Sequence, residues 1–260
     1  MINYPVIISF CNDGYYLFAI NMLINLNTTI KNHKVHFYCL DTNIYEKLQK
    51  LPLQNINVTF ELFTKYNLSA NYNCYYSLEF NLLTHAKTFI IKDALAKYNF
   101  IHFIDCDVVC VKEPELSYYN KYKDYDIIFQ HDAGMYSADK LHAPTLHHIW
   151  TCTGNTTFNN TSGAHFILDK IIEYQNDYKN KNDQDCLYQY FQDIQLTDIT
   201  KFEHAKLYTY PIDEYTNGYW LNNDIGTLEN TYFFHANHVE GPDNKINLLR
   251  KAGKFYLIFN

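Results

Sequence analysis

Short apolar runs alternate with longer stretches of helical spacing through the first hundred residues. Pro5-Val-Ile-Ile-Ser-Phe10 reads as a buried strand that closes on the turn signal Asn12-Asp13-Gly14. Tyr15 to Leu26 then sets Leu17, Phe18, Met22 and Leu26 at helical spacing. Val35 to Leu40 is a second strand, Asn43 to Leu51 a short helix and Val58 to Leu62 a third strand. Ser77 to Tyr98 is a long helix, followed by a fourth strand over Phe100 to Ile104. This rhythm predicts an α/β fold, a doubly wound sheet of mainly parallel strands flanked by helices. Such sheets take ligands beyond the carboxyl ends of their strands.

The second half is less regular. Asp126 to Phe129 and Ala164 to Leu168 read as strands, Lys170 to Tyr178 and Asn182 to Phe191 as helices, and Thr231 to His235 as a last strand. Gly134 to Ser162 is loop-like and carries His142, His147, His148 and Trp150. With no linker in view, one domain over 1–260 is expected, its strand-helix half ending near residue 107.

Composition narrows the classes. A 260-residue chain with 47% hydrophobic and 19% charged residues has enough apolar surface for one buried core and is not disordered. Its formal charge of −7 argues against nucleic-acid binding, which needs a basic face, so an anionic ligand would require local cations or a metal. The 25 tyrosines suit half-wet grooves as well as cores. The start lacks a basic segment with a cleavage site, and no apolar run reaches the roughly 20 residues of a membrane span. Cys11, Cys39, Cys74, Cys106, Cys110, Cys152 and Cys186 form no C-x-x-C pair and read as reduced thiols, which predicts a cytoplasmic protein.

Four features carry candidate chemistry. Phe103-Ile-Asp105-Cys-Asp107 delivers two carboxylates at a strand's end, and a period of two sets both on one side. Carboxylates that close repel unless a cation lies between them, and Mg²⁺ or Mn²⁺ suits oxygen ligands. The plain alternative is a turn with two solvated aspartates. Lys87 interrupts the apolar stripe of Phe80, Leu83, Ile90, Ile91 and Ala94, so its ammonium either snorkels to water or meets a carboxylate. Asn182-Asp183-Gln184-Asp185 opens a helix; ordinary capping explains one acidic residue there but gives Gln184 no role. Finally, a strand ends in His235, with His238, Gly241 and Lys245 following. A neutral imidazole can complete a Mn²⁺ shell and a lysine suits a diphosphate; the alternative is a surface loop.

In this order the features resemble a GT-A-type nucleotide-diphospho-sugar glycosyltransferase, close to families eight and seventy-seven. The resemblance implies a metal-dependent enzyme that moves a sugar from a nucleotide-diphosphate sugar, a UDP-sugar above all, to a glycan or other hydroxyl acceptor with retained configuration. It implies Asp105 and Asp107 as ligands of Mn²⁺ or Mg²⁺, with His235 as third ligand and His238 as rival through His238-Val-Glu-Gly241. Lys245 beside Gly241 would hold the diphosphate. Cys11 and Asn12 would touch the base or ribose, and Asp105 the ribose as well. Lys87 would reach the donor sugar and pair with Asp183, while Gln184 would sit by the anomeric carbon. Gly163 and Asp132 complete the expected substrate contacts. Residues 1–107 would then form the nucleotide-binding half and 108–260 the sugar and acceptor half, with acceptor walls expected in His131–Asn160 and Tyr215–Trp220.

The family pattern is not matched throughout: Thr161-Ser162-Gly163 stands where relatives often carry Asn-x-Gly, and the Lys-Pro-Trp ending is absent. Two other classes compete. The Asp-x-Asp is also similar to haloacid-dehalogenase-type phosphatases with Asp105 as nucleophile, although Val109 stands where they carry Thr and no later acidic pair follows. A catalytically silent sugar-nucleotide-binding protein would have no use for Lys87, Asp183 and Gln184.

Overall fold

The computed structural model describes residues 3–65, 68, 70–132 and 148–257. Seven strands form the main sheet in the order β3-β2-β1-β4-β7-β6-β8. The first four are β1 (Val6–Cys11), β2 (Lys34–Cys39), β3 (Asn57–Leu62) and β4 (Phe100–Ile104). They run parallel to one another. β1 and β2 lie between neighbours on both edges and under helices on both faces, which is why their sequences are near-continuous apolar runs.

The intervening helices are α1 (Tyr16–Thr29), α2 (Thr42–Leu48) and α3 (Leu78–Lys97). Local capping starts two of them: Asp41 accepts from the Ile44 N–H and Ser77 from the Phe80 N–H. β4 ends at Ile104. Asp105 to Val108 is a turn, closed by the Val108 N–H on the Asp105 carbonyl. It carries the chain out of the main sheet and into β5 (Val108–Cys110).

β5 belongs to a second sheet of three strands, β5-β10-β9, with β9 at Tyr215–Asn217 and β10 at Phe233–His235. Register fixes the consequence. His235 pairs with Val108, and the Ala236 N–H donates to the Asp107 carbonyl, so the end of β10 lies against the turn.

The rest of the main sheet departs from the sequence reading. β6 (Ile127–His131) is the expected strand, but β7 occupies Thr151–Asn159, inside the stretch read as loop. Its TCTGNTTFN sequence shows no apolar alternation because polar partners fill its buried positions. Thr157 bonds the Tyr210 hydroxyl, and the Asn155 amide oxygen meets His102. β7 is antiparallel to both β4 and β6. Between Phe129 and Gln130 the register slips: Phe129 faces Thr156 while Gln130 faces Cys152. Thr153, Gly154 and Asn155 are therefore surplus to the β6 pairing and form a bulge at the carboxyl edge of the sheet.

Ala164 to Leu168, read as a strand, lies in α5 (Ser162–Asp177). Its buried residues Ala164, Ile167, Leu168 and Ile171 recur at three and four, the helical period. α4 (Leu116–Asn120), α6 (Asp183–Asp193), β8 (Leu207–Thr209), α7 (Gly218–Asn222) and α8 (Gly241–Lys251) complete the chain. His142 and His147 lie outside the described residues. Among those described, no helix is long and apolar enough to cross a membrane.

Candidate active site

A cleft of about 430 Å³ opens where β1, β4 and β6 end, between α3 and α6 on one side and the start of α8 on the other. Asp105 and Asp107 lie at its floor. Strand alternation does not bring them together, as the sequence suggested; the turn after Ile104 does. Cys106 points away, donating to the Phe10 carbonyl at 3.2 Å.

Asp105, Asp107 and His235 each offer a ligand atom, and these atoms all lie within 4.8 Å of one another. His235 Nε2 is 3.2 Å from Asp107 Oδ1. Gly154 of the β7 bulge leaves the space between them open: a Cβ there would stand 2.3 Å from Asp105 Oδ2 and 2.5 Å from His235 Cε1. Two carboxylates and one imidazole around such a space fit a hard divalent cation. His238, the rival ligand, is directed elsewhere. Its Nε2 lies 2.5 Å from Asp132 Oδ1, and its backbone φ is +56°.

Lys87 answers its place on an apolar stripe by ion pairing rather than snorkelling. It is 4% exposed, with Nζ 3.2 Å from Asp105 Oδ1 and 3.2 Å from Asp183 Oδ2. Burial alone would lower its pKa; the Asp105 and Asp183 carboxylates outweigh burial and hold it above the ordinary lysine value. Asp183 is free for this because Asn182 caps α6, accepting from the Asp185 N–H at 2.8 Å. Lys245, on α8 beside Gly241, reaches Asp107 from the opposite wall. Burial works against the charge of Asp107, yet the Lys245 ammonium holds its carboxyl well below the usual range.

Gln184 is held at both ends of its carboxamide. Its oxygen accepts from the Thr153 N–H at 3.1 Å, and its NH₂ donates to Asp132 at 2.9 Å. Asp132 also accepts from the Tyr188 hydroxyl at 3.0 Å, so Asp132, Gln184, Tyr188 and His238 form one network at the cleft's edge. Cys11 and Gly241 line the cleft, the latter at φ +76° where α8 begins.

Two expected contacts lie elsewhere. Asn12 does not line the cleft; its amide donates to the Asn71 carbonyl, and Gly14 lies so close beneath Tyr72 N that a Cβ would stand at 2.1 Å. The Asn12-Asp13-Gly14 turn thus braces the loop that brings Tyr72 over Tyr15, ring centroids 4.9 Å apart. Gly163 packs on Asp126 and Ala205 at the opposite edge of the sheet, because antiparallel β7 carries the chain away from the cleft before α5 starts. The glycine that lines the cleft is Gly154. A lone glycine among the threonines and asparagines of 151–159 was the signal for such a close approach. Tyr215 and Trp220 are core residues, 1% and 7% exposed, while Tyr219 between them lies against cleft-lining His238, ring centroids 5.9 Å apart.

Residues 31–249 match the model of the nucleotide-diphospho-sugar transferase family, and the chain belongs to that family. It is a glycosyltransferase by family and has the GT-A fold, which sets the phosphatase reading aside. Solved structures share its fold. The galactosyltransferase LgtC, in complex with donor and acceptor sugar analogs, is 12% identical with a TM-score of 0.60, covering 97% of this chain and 96% of that one. A glycosyltransferase involved in glycosylation of the major capsid of PBCV-1 is 12% identical with a TM-score of 0.56, covering 94% and 98%. The bifunctional glycosyltransferase WbbM is 15% identical with a TM-score of 0.55; 96% of this chain is covered, and it spans half the length of WbbM. No curated protein matches the chain by sequence at a significant level.

Proposed function

We propose that the chain transfers a sugar from a UDP-sugar to a hydroxyl of a glycan acceptor, with a divalent cation at Asp105, Asp107 and His235. The observation that carries this reading is the meeting, in one cleft, of that ligand set with Lys245 on one wall and the Lys87–Asp183–Gln184 group on the other. A bound Mn²⁺ or Mg²⁺ would act as a Lewis acid toward the diphosphate leaving group. Residues 1–107 supply the nucleotide wall through Cys11, Tyr15 and Tyr72, and 108–260 supply the phosphate, sugar and acceptor contacts. The free thiols throughout the described chain favour a reducing, cytoplasmic setting.

The chain's own groups divide the work. Lys245 exchanges its bond to Asp107 for one to the diphosphate and stabilises the charge that develops as the sugar–phosphate bond breaks. Lys87, fixed by Asp105 and Asp183, presents its third proton to the donor sugar. Gln184, pinned between the Thr153 N–H and Asp132, stands by the anomeric carbon. A neutral carboxamide is a weak nucleophile, which favours retention by a front-face route: the acceptor hydroxyl attacks on the side the phosphate leaves, and a phosphate oxygen takes its proton.

Incubation with UDP-sugars and Mn²⁺, followed by released UDP, tests the activity, and NMR of the product's anomeric centre tests retention. UDP with Mn²⁺ is expected to raise the melting temperature. Asp107→Ala should abolish that shift; normal stabilisation of the variant by UDP would remove the metal from the proposal.

A further inference from the structure

The geometry points to Gln130 as a positioning residue: it fixes which nitrogen of His235 faces Asp105 and Asp107, and so tunes the site's affinity for a divalent cation. This rests on the metal reading above and adds to it a residue that touches neither cation nor substrate. Gln130 is the one long polar side chain in Ile127-Ile-Phe-Gln130, and it is fully buried. It stands where β6 loses register with β7, and there its side chain bridges to the second sheet.

Hydrogen-bond roles decide the rest. The Gln130 NH₂ donates to the Tyr215 carbonyl at 3.1 Å and the Thr216 carbonyl at 2.7 Å. Carbonyls only accept, so the amide cannot be turned over, and both N–H groups are used. Its oxygen is left facing His235 Nδ1 at 3.1 Å. An amide oxygen also only accepts, so Nδ1 carries the proton. The Cys152 sulfur, 3.5 Å from the same nitrogen, is only a weak hydrogen-bonding partner and does not alter this.

His235 Nε2 therefore turns a lone pair toward Asp107 Oδ1 across 3.2 Å. Left to itself the ring would take the other tautomer and donate from Nε2 to the carboxylate, hiding the only nitrogen able to bind a metal there. Gln130 removes that option. Two electron-rich atoms then face each other at a distance relieved by a cation. Outer-shell partners of this kind typically change metal affinity 10- to 100-fold.

The test uses the full-length chain with ¹⁵N-labelled histidine and two variants. In metal-free wild type at pH 8.5, two-bond ¹H–¹⁵N spectra should show His235 protonated at Nδ1 only; any spectrum with a proton on Nε2 overturns the proposal. Gln130→Met keeps length but has no acceptor. It is expected to move the proton to Nε2 and to weaken Mn²⁺ binding, read by electron paramagnetic resonance of free Mn²⁺, by about 10- to 100-fold. Gln130→Glu keeps an oxygen that accepts from Nδ1–H, so the proton should stay on Nδ1 and Mn²⁺ affinity should not fall. A folded Gln130→Met with unchanged tautomer or Mn²⁺ affinity refutes the assignment, as does a Gln130→Glu that loses affinity equally, which would mark a packing role. Should wild type keep the Nδ1–H tautomer yet bind no Mn²⁺ or Mg²⁺, the metal reading fails and the link to affinity with it, while the tautomer lock stands.

Discussion

Two lysines reach the neighbouring carboxylates Asp105 and Asp107 from opposite walls of the cleft, one lysine to each, and they are held differently. Lys87 sits in the middle of the twenty-residue α3, 5% exposed along its side chain, between Asp105 and Asp183. Lys245 sits one turn into α8, 22% exposed along its side chain, and among the described residues its one ion-pair partner is Asp107. The first is part of the wall: moving it strands two carboxylates. The second can let go, because water and ligand both have access to it. Burial and partner number thus separate a cation that shapes the site from one that can change partners during a reaction.

The largest effect that would break this contrast belongs to Lys87→Met. It should cost about 3–5 kcal/mol of unfolding free energy by leaving buried charge uncompensated. Adding Asp183→Asn should recover part of that loss, with urea denaturation as the measurement. Equal stability of the single variant and wild type would mean that Lys87 is not the fixed member. Lys245→Met should shift the urea midpoint less than half as far yet lower kcat about 10²- to 10³-fold, the usual cost of one transition-state charge stabiliser. A KM effect without a kcat effect would reassign it to ground-state binding.

His102 provides the pH dependence of the core behind both walls. Burial lowers its pKa to about 3, against which the Asn155 hydrogen bond works only in part. The unfolded chain takes up this proton near pH 6.5 and the folded chain does so only near 3. The contribution is therefore full above 6.5 and is lost on acidification at up to about 1.4 kcal/mol per pH unit. His102→Gln should flatten the stability profile between pH 4 and 6 by that slope relative to wild type, measured by chemical unfolding. The smallest effect concerns His238. Asn tolerates its φ of +56°, so His238→Asn should leave Mn²⁺ affinity within about twofold, whereas His235→Ala should lower it at least tenfold. A matching loss in both would return His238 to the ligand set.

The parallel half of the sheet was legible because strands buried on both faces must be apolar, as in Val6–Phe10 and Phe100–Ile104. The stripe left Lys87 a choice between snorkelling and an unnamed carboxylate, and only the family resemblance named Asp183 as its partner. β7 was not legible, since Thr151–Asn159 satisfies its polar side chains inside the core and so lacks the alternation that marks a half-buried strand. Missing β7 also misplaced the glycine: Gly163 follows the strand, whereas Gly154 interrupts it at the cleft. α5 was split because Ala164-His-Phe-Ile-Leu168, taken alone, is short enough to pass for a strand. His235 and His238 could not be separated by spacing. Only the register of β10 on β5 chooses between them.

The three surplus residues of β7 are free of one neighbouring strand and held by the other. Excising Thr153, Gly154 and Asn155 together would restore the count against β6 but take away Asn155, the partner of Ile104 on β4. What the neighbour β6 tolerates as an interruption, the neighbour β4 uses continuously, through the Gly154 carbonyl on the Asp105 N–H at 2.8 Å. One strand edge keeps the scaffold in step while the other is interrupted, so the floor can vary in its side chains but not in its length without unpairing the sheet.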